Sequence, residues 1–375
     1  MKIKSVFINF LLVVFSLLVI EIISSSIIFY KEKKVGFLFS PFNIVKFSQT
    51  EFVINWDNKT KKIIPGTYFQ KNKNGKLVEY NINSKGFRGK EFKVEKTSSN
   101  RIISFGGSTT MGLSSPDNLT YPSILESIIQ KKNYDAEVLN FGLSSKSLNF
   151  IKDLFYSEAI NYKPDIITVY SNRNPALYDS TGSKIKYNNK NLYIKKINTL
   201  LANNIMTFRL LFKLYKKVLS IGVKSDKITS PYNSKIEHNI YYFEEQYRNT
   251  LEEIIAQSRI NSIKVILIKQ AVFYNPSIQQ KLEEKKIKEL IEILKNLKQK
   301  GINGYDYNKS FWIVTNVLLN KQLDTLKHYK NVIIVDPTKE LLQSQENFYD
   351  HIHLSEKGNS IIAQAIYAGI KDFLK

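Results

Sequence analysis

Two features of this 375-residue chain are best suited to chemistry: a serine in a glycine-rich turn, and an acid–histidine pair near the C-terminus. The serine is Ser108, in Phe105-Gly106-Gly107-Ser108-Thr109-Thr110-Met111-Gly112. The pair is Asp350 and His353, in Asp350-His351-Ile352-His353. A serine hydroxyl is a weak nucleophile until a base takes its proton, and a neutral imidazole suits that task near neutral pH. An aspartate three residues earlier can lie on the same side of a helical turn, orient the ring and stabilise the imidazolium formed during attack. The competing readings are a turn serine, a phosphate-cradling glycine loop, a helix-capping histidine, or His351 and His353 as metal ligands. The presence of both His353 and Asp350 favours a nucleophilic Ser108, and with no other clear ligand cluster no metal or cofactor is expected.

Such groups need elements that bring them together. The short apolar run 102–105 reads as a buried strand leading into the serine turn, and 121–130 as a helix with Pro122 in its first turn. Strands follow at 137–141, 165–170, 265–268 and 332–335. Between and after them, helical patterns run over 148–160, 240–257, about 279–299, about 309–329 and from Ser355 to Phe373. Alternating strands and helices imply βαβ units and a parallel sheet. Functional groups gather at the carboxyl ends of such strands. Ser108, Gly142 and Asn174 follow the first three strands, and Asp350 and His353 follow the fifth. The backbone N–H groups of Ser108 and Gly142 and the amide of Asn174 could therefore form an oxyanion hole.

These segments resemble, in order, the conserved blocks of the SGNH/GDSL hydrolases. The matching residues are Gly106-Gly107-Ser108-Thr109-Thr110-Met111-Gly112, Asn140-Phe141-Gly142, Tyr170-Ser171-Asn172-Arg173-Asn174 and Asp350-His351-Ile352-His353, within about 80–180 and 235–375. The resemblance implies a flavodoxin-like α/β/α sandwich with five parallel strands in the order 2-1-3-4-5, and metal-independent ester chemistry. Two positions depart from the pattern. Gly107 stands where the family usually has aspartate, a variant found in members linked to bacterial surface polysaccharides. Asn172-Arg173-Asn174-Pro175 keeps the asparagine of the third block but not its glycine or aspartate. Asn83-Ser84-Lys85-Gly86-Phe87-Arg88-Gly89 is similar to the lead-in of the same polysaccharide-linked members. Arg173 fits either contact with an acidic sugar or a solvated loop. The implied substrate is an acylated glycan or another ester. Water as acceptor gives an esterase, a sugar hydroxyl gives an O-acetyltransferase, and a silent glycan-binding or assembly component is the non-enzymatic alternative.

There is no cysteine, which excludes disulfides and thiol nucleophiles. The net charge of +22 fits an anionic partner or a lysine-rich composition. The lysines are spread along the chain and no nucleic-acid-binding motif occurs, so nucleic acid is not an expected partner. The apolar stretch 6–30, closed by Lys31-Glu32-Lys33-Lys34, approaches the roughly 20 residues that span a bilayer. An uncleaved transmembrane helix is favoured over a signal peptide, with the catalytic domain extracytoplasmic by family analogy. The expected organisation is an anchor at 1–34, a β-rich membrane-proximal segment at 35–95 and the hydrolase-like domain at 96–375. Within that domain an insertion at about 180–235 could be a lid, a membrane-surface helix or a packing helix.

Overall fold

The computed structural model describes residues 12, 14–24, 26, 56–57, 62–71, 77–113, 115–171, 242–297, 301–302 and 307–375. The chain divides into two compact units: 1–53 with 186–230, and 54–185 with 231–375.

In the first unit, residues 12, 14–24 and 26 are helical. Among the described residues no helix is long and apolar enough to cross a membrane. The rest of the 6–30 stretch, and the whole 180–235 insertion, lie outside the described residues.

The second unit opens with two short hairpins. The first is β1 (Trp56–Asp57) with β2 (Lys62–Ile63), and the second is β3 (Gly66–Lys71) with β4 (Leu77–Ile82). A strap of chain then leads into β5 (Asn100–Gly106), followed by α1 (Ser108–Met111), α2 (Tyr121–Lys131), β6 (Ala136–Gly142), α3 (Leu148–Ser157) and β7 (Ile166–Tyr170). After the insertion come α4 (Tyr247–Ile260), β8 (Lys264–Ile268), α5 (Pro276–Glu283), α6 (Ile287–Lys295), α7 (Tyr307–Asp324), β9 (Val332–Val335), α8 (Thr338–Leu341) and α9 (Glu356–Ile370).

The five strands β5 to β9 form a parallel sheet in the order β6-β5-β7-β8-β9, the 2-1-3-4-5 order expected. All seven residues of β5 are buried, as a strand covered on both faces must be. Alternate side chains serve opposite layers. Ile102, Val138, Ile166, Ile266 and Val335 pack with Leu125 and Ile129 of α2 and Ile362 and Ile366 of α9. On the other face, Phe105 meets Phe155 of α3 edge-on at 6.0 Å. The result is a three-layer α/β/α sandwich in which β5, an interior strand between β6 and β7, ends at the glycine turn carrying Ser108.

The single helix expected over 279–299 is two, α5 and α6, separated at Glu284-Lys285-Lys286. No glycine or proline marks the break. Its signature is a one-sided cap, in which Glu289 accepts the N–H of Lys286 at the new start. The helix expected over 148–160 ends at Ser157 and tightens into a 3₁₀ turn over Ala159–Tyr162.

Candidate active site

Ser108 is the first residue of α1, directly past the interior strand β5. Its N–H is one of the orphan donors of a helix start and has no partner among the described residues. Its hydroxyl lies 2.8 Å from Nε2 of His353.

His353 sits in a tight loop before α9. Phe348 and Leu354 bridge across the base of the loop, and the Tyr349 N–H donates to the His353 carbonyl at 2.7 Å. Phe348, Ile352 and Leu354 are buried, so alternate side chains pin the loop to the core while Asp350 and His353 stay accessible. Ser355 caps α9 by accepting the Gly358 N–H.

Asp350 holds both its own loop and the imidazole. One oxygen accepts the N–H groups of Ile352 and His353, each at 2.8 Å. The other lies 2.7 Å from His353 Nδ1. Partial burial pulls the Asp350 carboxyl upward. The hydrogen bond and charge of His353, with the two backbone donors, outweigh it and hold the carboxyl well below the usual carboxylate range. An ionised acceptor at Nδ1 fixes the tautomer: Nδ1 carries the proton, and Nε2 is left with its lone pair toward Ser108. His351 makes a different contact, its ring stacking on Tyr274 with centroids 4.4 Å apart.

The expectation for Gly142 needs correction. Its N–H already donates to the Asn140 side-chain oxygen at 3.0 Å, and the residue is buried. Gly142 is small for a packing reason. A Cβ there would come 2.2 Å from the Met111 nitrogen, so its absence lets α1 lie against β6. The loop after β6 offers a different donor. Ser145 adopts a φ of 61°, with Leu143 O accepting the Lys146 N–H at 3.3 Å across the turn. The Ser145 N–H has no partner among the described residues. A serine where a turn favours glycine is a strained position, and strain of this kind collects at functional sites. The sequence carries that signal only as Ser144-Ser145 in a turn without glycine. Arg173 and Asn174 lie outside the described residues.

A cavity of about 280 Å³ lies between the strap and α2, lined by Phe87, Lys90, Glu126 and Asn140 among others. Its lining includes none of Ser108, Asp350 and His353. Among the described residues no group of three or more acidic, histidine or cysteine side chains could hold a metal ion.

No family model matches the chain, and no curated protein matches it. Solved structures do. The lipase/acylhydrolase from Enterococcus faecalis is similar at 14% identity and a TM-score of 0.41, covering 74% of this chain and 97% of that one. Axe2, an acetylxylan esterase from Geobacillus stearothermophilus, is similar at 13% identity and a TM-score of 0.38, covering 73% and 94%. At such identities and scores, a function for this chain has to be argued from its own site.

Proposed function

We propose that this chain is a membrane-anchored serine esterase that removes acyl groups, acetyl foremost, from a cell-surface glycan. The observation that carries the reading is the continuous path from Ser108 Oγ to His353 Nε2, and from Nδ1 to Asp350, built from residues 245 positions apart. Ser108 Oγ attacks the ester carbonyl carbon as its proton passes to Nε2, and Asp350 stabilises the imidazolium. The bond to the sugar oxygen then breaks, that oxygen takes the proton from Nε2, and the acyl group stays on Ser108. Water attacks the acyl-enzyme with His353 as base, releasing the carboxylic acid and restoring Ser108.

The tetrahedral oxyanion needs fixed donors. In this reading they are the N–H groups of Ser108 and Ser145, which have no partner among the described residues, with the Asn174 amide as a third. Arg173 is a contact for an acidic sugar. The glycan rests on the sequence lead-in 83–89 and on Gly107. The anchor is supported by the N-terminal helix, where Leu12, Phe15, Leu17, Ile20 and Ile23 are all exposed, a surface that water disfavours.

The test uses the full chain in detergent with a short aryl acetate and a serine-directed fluorophosphonate. Wild type hydrolyses the ester and is labelled at Ser108. Ser108→Ala lowers kcat by about 10³-fold or more and abolishes labelling. In cells the protein stays with membranes after an alkaline carbonate wash. A wild-type chain that neither turns over the ester nor labels at Ser108 sinks the esterase reading.

A further inference from the structure

The helix carrying Ser108 cannot hold itself. α1 is a single turn, closed by the Met111 N–H on Gly107 O at 3.0 Å and the Gly112 N–H on Ser108 O at 3.0 Å. One turn fixes several dihedrals for very few bonds, so it needs outside support, and its last carbonyls need donors.

That support comes from a residue far from the reacting atoms. The Asn83 side chain accepts the N–H groups of Lys85 and Phe87, both at 3.1 Å, and closes a turn that seats the Phe87 ring on Phe141 with centroids 3.7 Å apart. The next residue, Arg88, is 3% exposed. Its Nη1 donates to Met111 O at 2.8 Å and Gly112 O at 2.6 Å, the carbonyls at the far end of α1. Nη2 donates to Ser115 O at 2.5 Å and Nε to Asp117 Oδ1 at 2.8 Å, while the guanidinium carbon lies 4.8 Å from the centre of the Tyr80 ring. Gly112 has a φ of 77°, and a Cβ there would sit 2.5 Å from Thr120 and 3.4 Å from Arg88 Nη1.

The same loop is gripped from the histidine side. Asn359 of α9 is fully buried and donates to Ser115 Oγ at 3.0 Å and Leu119 O at 2.9 Å. α9 begins three residues after His353.

We propose that Arg88 is a positioning residue for the nucleophile. It fixes the end of α1 through the Met111 and Gly112 carbonyls. Through Ser115 and Asn359 it ties that end to the helix behind His353, keeping Ser108 Oγ in line with Nε2. The proposal rests on Ser108 being the nucleophile. A planar fork that meets four acceptors at once is a property of guanidinium and not of a lysine ammonium.

The test compares full-length wild type, Arg88→Ala and Arg88→Lys on an aryl acetate, with near-ultraviolet circular dichroism to confirm folding. In both variants kcat falls by about 10- to 100-fold while KM changes little, since a small displacement of a reacting group costs that much. Millimolar guanidinium restores part of the Arg88→Ala rate, ammonium does not, and Ser108→Ala gains nothing. If Arg88→Ala fails to fold, the kcat and KM of Arg88→Lys decide. A folded variant with wild-type kcat overturns the positioning role. So does a kcat loss that only matches the unfolded fraction and resists guanidinium. Inactive wild type, by contrast, removes the nucleophile reading itself.

Discussion

At the scale of single residues, Asp350 is the most exacting member of the site, because it does two things with one carboxylate. An amide at the same position separates them. In Asp350→Asn the side-chain oxygen can still accept the N–H groups of Ile352 and His353, so the loop keeps its shape. The amide NH₂ would then face Nδ1 and demand a lone pair there, moving the imidazole proton to Nε2. The ring would present a donor to Ser108 and could not take its proton. Asp350→Asn should therefore fold with a melting temperature near wild type and lose about 10²- to 10⁴-fold in kcat, read by aryl acetate hydrolysis beside thermal melts. A folded variant with nearly full kcat would show that the acid does not set the tautomer. The grouping of Ser108, Asp350 and His353 was legible in the sequence through their residue types and the family resemblance of their segments. Ser145 was not, since a positive φ at a serine is imposed by the folded loop. Arg88 stood in a motif that the sequence marked without a role, because its acceptors are backbone carbonyls, which no side-chain pattern can announce.

At the scale of elements, the contact between α1 and β6 governs the position of Ser108. In the sequence, Gly142 reads as an oxyanion donor because it follows a strand. The structure gives its N–H to Asn140 and its missing side chain to α1. The parallel sheet was readable from the alternation of strands and helices, and its strand order came from the family resemblance. The break between α5 and α6 was not, because Glu284-Lys285-Lys286 are good helix formers and only the Glu289 side chain, accepting the Lys286 N–H, marks the new start. Gly142→Ala tests the contact. Its methyl would fall 2.2 Å from the Met111 nitrogen and 2.6 Å from the Thr110 carbonyl carbon, both backbone atoms that cannot swing aside. The expected cost is about 1–3 kcal/mol of stability by chemical denaturation, with activity falling further than the unfolded fraction explains because α1 is pushed off its line. Wild-type stability and activity in Gly142→Ala would show that α1 is free to move without consequence.

For the whole molecule, the response to acid follows from carboxylates spread across the sheet. Asp165, at the amino end of β7, is pulled up by partial burial. It is held down more strongly by Lys96, by the Arg101 N–H and by the charge of Lys375. Asp336, just past β9, is likewise pulled up by burial and held down more strongly by Thr338 and Lys269. With Asp350, these are the partly buried carboxyls lowered among the described residues, and the exposed Glu91 and Glu289 are lowered too, by their hydrogen bonds. A lowered folded value means that the unfolded chain takes up protons first as pH falls. The stability these groups contribute is complete above their unfolded values near pH 4 and is lost as pH drops through the folded ones. Glu283 works in the opposite sense, because burial raises its carboxyl. Its share grows on acidification, and one such group does not offset the several lowered ones. The melting temperature should be nearly flat from about pH 7 to 5 and fall steeply below about pH 4. Asp165→Asn removes one contributor together with its ion pair to Lys96. It should melt a few degrees lower at neutral pH, about 2–4 °C per kcal/mol lost, and approach wild type as the pH falls toward 3. Calorimetry of both proteins across that range decides the matter, and a constant gap at every pH would show that Asp165 acts through packing and not through its charge.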